Sequence, residues 1–142
     1  MVTVYDVPPE KLIAKAAAQL KQMDTIQAPE WAEFVKTGMH TEKAPVQPDW
    51  WFTRAASVLR KVYVMGPVGS SRLAAEYGGY VDRGSKPNRA VKGSRAIARR
   101  CLIQLEKSGL VAKDKKNGRV ITPKGQAFLD KMSKEVYVDT HQ

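Results

Sequence analysis

Arginine and lysine are the side chains of this sequence whose spacing could do chemistry. Arg83, Lys86, Arg89 and Lys92 recur every third residue, and Arg95, Arg99 and Arg100 follow. No acid interrupts the run from Arg83 to Leu105, and from Arg83 to Arg119 there are 12 basic residues against 2 acidic ones, Glu106 and Asp114. Charge of one sign at this density repels itself and persists where a polyanion neutralises it. Nucleic acid is the commonest such partner, because each neutralised phosphate releases a condensed counterion. The planar fork of arginine adds a two-bond grip on phosphate. The imbalance belongs to the second part of the chain. Met1 to Asp49 holds 5 basic and 7 acidic residues, Trp50 to Gln142 holds 19 and 7, and the net charge is +10.

The other reactive residue types do not assemble into a catalytic pattern. His40 and His141 have no cysteine or acidic neighbour at metal-ligand spacing. Cys101 falls on the apolar side of its helix, where a buried thiol behaves as a small hydrophobe. Gly66, Gly69, Gly78 and Gly79 match neither a Walker loop nor a dinucleotide fingerprint. The sequence predicts no enzyme, cofactor, metal or small-molecule substrate. A single cysteine suits a reducing compartment. No stretch nears the 18 or so apolar residues of a membrane span, so the expected setting is cytoplasmic, with no membrane partner.

The elements that must position these cations follow from periodicity. A length of 142 residues, 43% of them hydrophobic, reads as one domain with its own core, an N-terminal helical part at 1–48 and a basic part at 49–142. The first helix is expected over Pro8–Met23, with Leu12, Ile13, Ala16, Ala17, Leu20 and Met23 repeating at helical spacing. A short second helix is expected over Pro29–Thr37 with Trp31, Phe34 and Val35 inward, then a surface connection over Met39–Pro48. Asp49 caps the most apolar helix, Trp50–Met65, whose Trp51, Phe52, Ala55, Ala56, Val58, Leu59, Val62, Tyr63 and Met65 lie in an arc covering about half the wheel. Outside that arc fall Trp50, Arg54, Ser57, Arg60 and Lys61. Trp50 is either another core aromatic or a stacking platform beside Arg54 and Lys61.

Ser70 or Ser71 is expected to cap a short helix through Tyr77, with Leu73, Ala74 and Tyr77 inward. Tyr80–Gly93 reads as an irregular loop, because Gly84, Pro87 and Gly93 interrupt any helix, and its cations suggest ordering against RNA. Ser94–Ser108 is a helix with Ile97, Ala98, Cys101, Leu102 and Leu105 on one face and Arg95, Arg99 and Arg100 across from them. A solvated helix surface usually mixes signs, whereas Glu106 is the sole acid here, so this face is expected to bind phosphates. Asn117-Gly118 between Leu110–Lys113 and Arg119–Ile121 signals a hairpin through a type I′ turn. Its cations Lys113, Lys115, Lys116 and Arg119 fit solubility or backbone contact equally. Thr122-Pro123 opens a last helix with Phe128, Leu129, Met132 and Val136 inward.

Helix, short helix, basic helix, hairpin and helix is the order of a winged helix-turn-helix, a mainly α fold with one small β-hairpin. The turn between the motif helices is normally 3–4 residues, so the long interval from Gly79 to Ser94 would complicate insertion into a DNA groove.

Val2-Thr-Val-Tyr-Asp-Val7, Pro29-Glu30-Trp31, Asp49-Trp50-Trp51-Phe52-Thr53-Arg54-Ala55-Ala56-Ser57, Tyr77-Gly78-Gly79, Ala98-Arg99-Arg100 and Gly118-Arg119-Val120-Ile121-Thr122-Pro123-Lys124-Gly125-Gln126 together resemble the nineteen-e family of small-subunit ribosomal proteins of archaea and eukaryotes. The resemblance covers nearly the whole chain. It implies helices packed around a central helix, a place in the head of the small subunit among other ribosomal proteins, and a part in rRNA maturation. It also implies RNA contacts through Trp50, Arg54, Arg60, Arg99 and Arg100. Two rivals are a DNA-binding winged-helix regulator and an assembly module with incidental RNA affinity.

If about 6 cations of the basic window touch phosphate, log K for an rRNA fragment against log[salt] will slope at roughly −4 to −5. Filter binding across a salt series measures this, and a slope near −1 refutes it.

Overall fold

The widest apolar arc of the sequence becomes the axis of the fold. The computed structural model of the protein describes residues 2–33, 49–114 and 118–140. In it helix α2 (Trp50–Met65) buries Trp51, Ala55, Ala56, Val58, Leu59 and Val62. Asp49 stands at the N-cap, where its carbonyl accepts the Phe52 and Thr53 amides. Its carboxylate instead accepts from Lys21 Nζ at 3.0 Å, fastening the end of the preceding helix. Gly66, at φ +77°, ends α2 in a conformation that other residues adopt at a cost.

Helix α1 (Pro9–Lys21) lays Leu12, Ala16, Ala17 and Leu20 along α2, and its alanines allow close approach. The second helix expected from Pro29 forms only a 3-10 turn over Glu30–Glu33 among the described residues. Phe34, Val35, His40, His141 and the Met39–Pro48 connection lie outside them. Trp31 meets the ring of Trp51 edge-on, with centroids 5.8 Å apart.

Helix α3 (Ser70–Glu76) is capped by Gly69 instead of Ser70 or Ser71. Val68 fixes this start. Its amide and carbonyl pair with the carbonyl and amide of Arg119 at 3.0 and 2.9 Å, and the chain turns into the helix directly afterwards.

The interval expected to be irregular is a second hairpin. Strands β1 (Gly79–Arg83) and β2 (Lys86–Val91) pair antiparallel from Gly79↔Val91 to Arg83↔Lys86, with a bulge near Val81. Gly84, at φ +74°, takes the first central position of the two-residue loop, as a type II′ turn requires. Pro87 is tolerated because a two-stranded ribbon consists of edges. At its base Gly78 and Gly93 let the strands meet α3. A Cβ at Gly78 would lie 2.2 Å from the Val91 carbonyl oxygen, and one at Gly93 2.8 Å from that of Tyr77. The ribbon therefore leaves α3 free to pack on helix α4 (Arg95–Lys107), as in a helix-turn-helix with a short turn.

Strands β3 (Val111–Asp114) and β4 (Gly118–Ile121) form the wing. Gly118 pairs with Asp114 and so belongs to strand β4, not to the type I′ Asn-Gly turn expected, and Asn117 lies outside the described residues. Gly118 is needed for packing as well, since a Cβ there would lie 2.6 Å from the Val68 carbonyl oxygen. Helix α5 (Pro123–Thr140) starts as expected, with the Gly125 amide donating to Thr122 Oγ1 at 3.1 Å, and buries Leu129, Met132 and Val136. One apolar cluster joins residues from Val4 to Val136. The fold is mainly α and winged-helix-like.

Trp51 is wholly buried, whereas Trp50 is half-buried with its ring 5.5 Å from that of Trp51. Trp51→Ala will cost about 3–5 kcal/mol. Trp50→Ala will cost less but more than an exposed residue, about 1–3 kcal/mol. Urea denaturation of both variants checks the order, and equal losses would make Trp50 a core residue.

Candidate nucleic-acid interface

The basic face of α4 is set by what the helix buries. The Ser94 side chain accepts the Ile97 amide and fixes the first turn. Ile97, Ala98, Cys101, Leu102 and Leu105 are then driven into the core. At 100° per residue this leaves Arg95, Arg99 and Arg100 outside, and all three are exposed, as is Lys92 just before the helix. None forms an ion pair with a described residue, which leaves their donors available to a polyanion. Cys101 is inert by placement: burial pushes its thiol pKa up to about 12.

A second cationic group lies on the outer arc of α2, gathered by Tyr77, the residue that ends α3. The Arg54 guanidinium sits 4.0 Å from the centroid of the Tyr77 ring, and Lys61 Nζ lies 5.3 Å from the same centroid. The Tyr77 and Ser57 hydroxyls share a hydrogen bond of 2.5 Å. Lys61 also reaches Glu76 at 3.8 Å. Burial lowers the Arg54 pKa from its ordinary value, and burial is likewise the main cause that raises Tyr77 to about 12. Arg60 Nε is buried and has no hydrogen-bond partner among the described residues. A buried donor of this kind is costly unless an acceptor arrives. Trp50, at the start of the same helix, packs its ring edge-on with that of Trp51.

The remaining expected contacts divide three ways. Arg83, Lys86 and Arg89 lie on the β1–β2 ribbon, whose strands pair with each other far more than with the body. Lys115 and Lys116 lie outside the described residues. Arg119 is drawn inward: its Nε donates to Glu106 Oε2 at 3.1 Å, its side chain is 16% exposed, and its backbone pairs with Val68. It ties the wing to α4 and has little surface left for RNA. Tyr77, read from periodicity as a core residue, is half-buried and organises the α2 cations. The sequence signal was Arg54 and Lys61 seven residues apart on one helix face with Ser57 between. Among the described residues no group of three or more His, Cys, Asp or Glu could hold a metal, and no helix is long and apolar enough to cross a membrane.

A profile of ribosomal protein S19e matches residues 3–139. The chain belongs to this family. A small ribosomal subunit protein eS19 of Thermoplasma volcanium is 49% identical over 136 residues, 96% of this chain and 90% of that protein. The eS19 of Haloarcula marismortui is 47% identical over 134 residues, 92% and 88% of the two chains. A eukaryotic relative, eS19A of Schizosaccharomyces pombe, is 41% identical over 132 residues, 93% and 92%. The matched region contains α2, both hairpins, α4 and nearly all of α5, so both cationic groups of this chain lie within it.

Because Arg119 is held by Glu106, Arg119→Ala will lower stability by about 1 kcal/mol. It will weaken RNA binding less than Arg99→Ala does. Parallel denaturation and RNA titration check this, and the reverse order of affinities would move Arg119 into the interface.

Proposed function

We propose that this ribosomal protein is a structural constituent of the small ribosomal subunit. It binds rRNA and supports subunit assembly and rRNA maturation. In this reading the chain is one domain, sits in the cytoplasmic ribosome and contacts neighbouring proteins in the subunit head. The observation that carries the proposal is the exposed, acid-free face of Arg95, Arg99 and Arg100, on a fold shared with proteins named for the small subunit. The Arg54–Arg60–Lys61 group and the cations of the β1–β2 ribbon extend the contact. Half-buried Trp50 adds an aromatic ring to the same helix. Guanidinium groups without bound acids are suited to backbone phosphates, which fix position without reading sequence.

The rival reading, a DNA-binding regulator, needs amides on α4 to read base edges. Gln104 is the helix's one amide side chain, and it is spent internally. Its Oε1 accepts from Trp51 Nε1 at 2.9 Å and its Nε2 donates to the Gln27 carbonyl at 2.8 Å. An assembly module with incidental RNA affinity differs in retention: an integral protein stays with small subunits through a high-salt wash.

Arg99→Glu combined with Arg100→Glu will abolish incorporation into small subunits while circular dichroism shows an unchanged fold. Normal incorporation of the folded double variant would overturn the proposal.

A further inference from the structure

Tyr77 has no charge of its own, yet two cations of α2 lie against it. Arg54 and Lys61 approach its ring at 4.0 and 5.3 Å, and Lys61 also lies 3.8 Å from Glu76. Each cation carries a long side chain with several rotatable bonds, and fixing such a chain on binding costs about 1–2 kcal/mol of entropy. A tyrosine face attracts cations through its negative quadrupole and holds them against solvent. The ring itself is anchored twice. Its hydroxyl is bonded to Ser57, one turn along α2 from Arg54. Its backbone is wedged at the base of the ribbon, where Gly93 has room for no side chain against the Tyr77 carbonyl.

We infer that Tyr77 is a positioning residue that pre-orders Arg54 and Lys61 for RNA, so that α2 presents their charges already fixed in place. The inference rests on the proposed rRNA contact and names the residue that makes this part of it rigid. It assigns Tyr77 no direct contact with RNA. The ring face is occupied by the protein's own cations, and the hydroxyl by Ser57.

The test uses the full chain and small-subunit rRNA transcribed in vitro, with affinity measured at one fixed salt concentration. Tyr77→Phe keeps the ring and will bind within about twofold of the parent protein. A pentafluorinated phenylalanine at the same position keeps the shape but reverses the quadrupole, and will weaken binding about 5- to 10-fold. The same change made together with Arg54→Ala and Lys61→Ala will produce no further loss, because the cations it acted on are gone. A purely structural role for Tyr77 predicts no difference between the plain and fluorinated rings. Equal affinities for those two, or a fluorination loss that persists without Arg54 and Lys61, would overturn the inference. If Arg54→Ala and Lys61→Ala themselves leave affinity unchanged, the α2 contact in the proposed function fails, and the inference with it. Tyr77→Phe reports whether the site still folds.

Discussion

The indole of Trp51 is where three separate parts of the chain are fastened together. Its ring is wholly buried on α2, touched edge-on by Trp31 from the N-terminal segment. A buried indole N–H needs an acceptor, and Gln104 of α4 supplies it. The other end of that amide donates to the carbonyl of Gln27, so one side chain links α2, α4 and the segment after α1. The net worth of each such bond is only about 1 kcal/mol, but leaving either buried group unpaired would cost more. The pair therefore reinforces the rotation of α4 that its apolar face sets. Rotation of α4 in turn decides that Arg99 and Arg100 face solvent while Cys101 and Leu105 do not.

Charge is distributed so that the two ends of the molecule behave differently. At the α1–α5 end cations meet acids: Lys15 Nζ lies 2.8 Å from Asp139 and 3.8 Å from Glu135, and Lys21 is bonded to Asp49. These exposed pairs add little stability individually, but they neutralise that surface. On α4 the exposed arginines form no ion pair with a described residue, and on α2 Arg54 and Lys61 lie against the Tyr77 ring, with Lys61 also 3.8 Å from Glu76. Self-repulsion there is tolerated because the apolar core holds the helices in place, and under the proposed function phosphates would relieve it.

The winged-helix plan accommodates an insertion without being undone. α3 and α4 pack as a helix-turn-helix pair although the ribbon intervenes, because Gly78 and Gly93 allow its two ends to close on each other. The wing is held from both sides, by the Val68–Arg119 backbone pair and by the Glu106–Arg119 ion pair. Arg119 thus serves the wing's attachment, which is why a cation in the most basic stretch of the chain is turned inward.

Much of this was legible in the sequence. The apolar spacing of α2, α4 and α5 placed their buried faces, with Phe52, Tyr63, Met65 and Phe128 only half-buried at the margins, because 3.6-residue periodicity is a local property of the chain. The caps at Ser94 and Thr122 and the wing were equally local. The class of partner followed from composition, since repulsion among unbalanced cations requires no knowledge of the fold. What the sequence did not carry were contacts between distant residues. The β1–β2 ribbon has a Gly-Ser turn, but its strands are polar and lack the alternating apolar face that marks a buried hairpin. Trp50 and Trp51 lie about 100° apart on the wheel, and only the packing of their two rings shows that Trp50 is half-buried. Tyr77 and Arg119 were decided by partners 23 and 13 residues away, Arg54 and Glu106. Periodicity says which way a side chain leaves its own helix, while the tertiary structure alone determines what stands in its path.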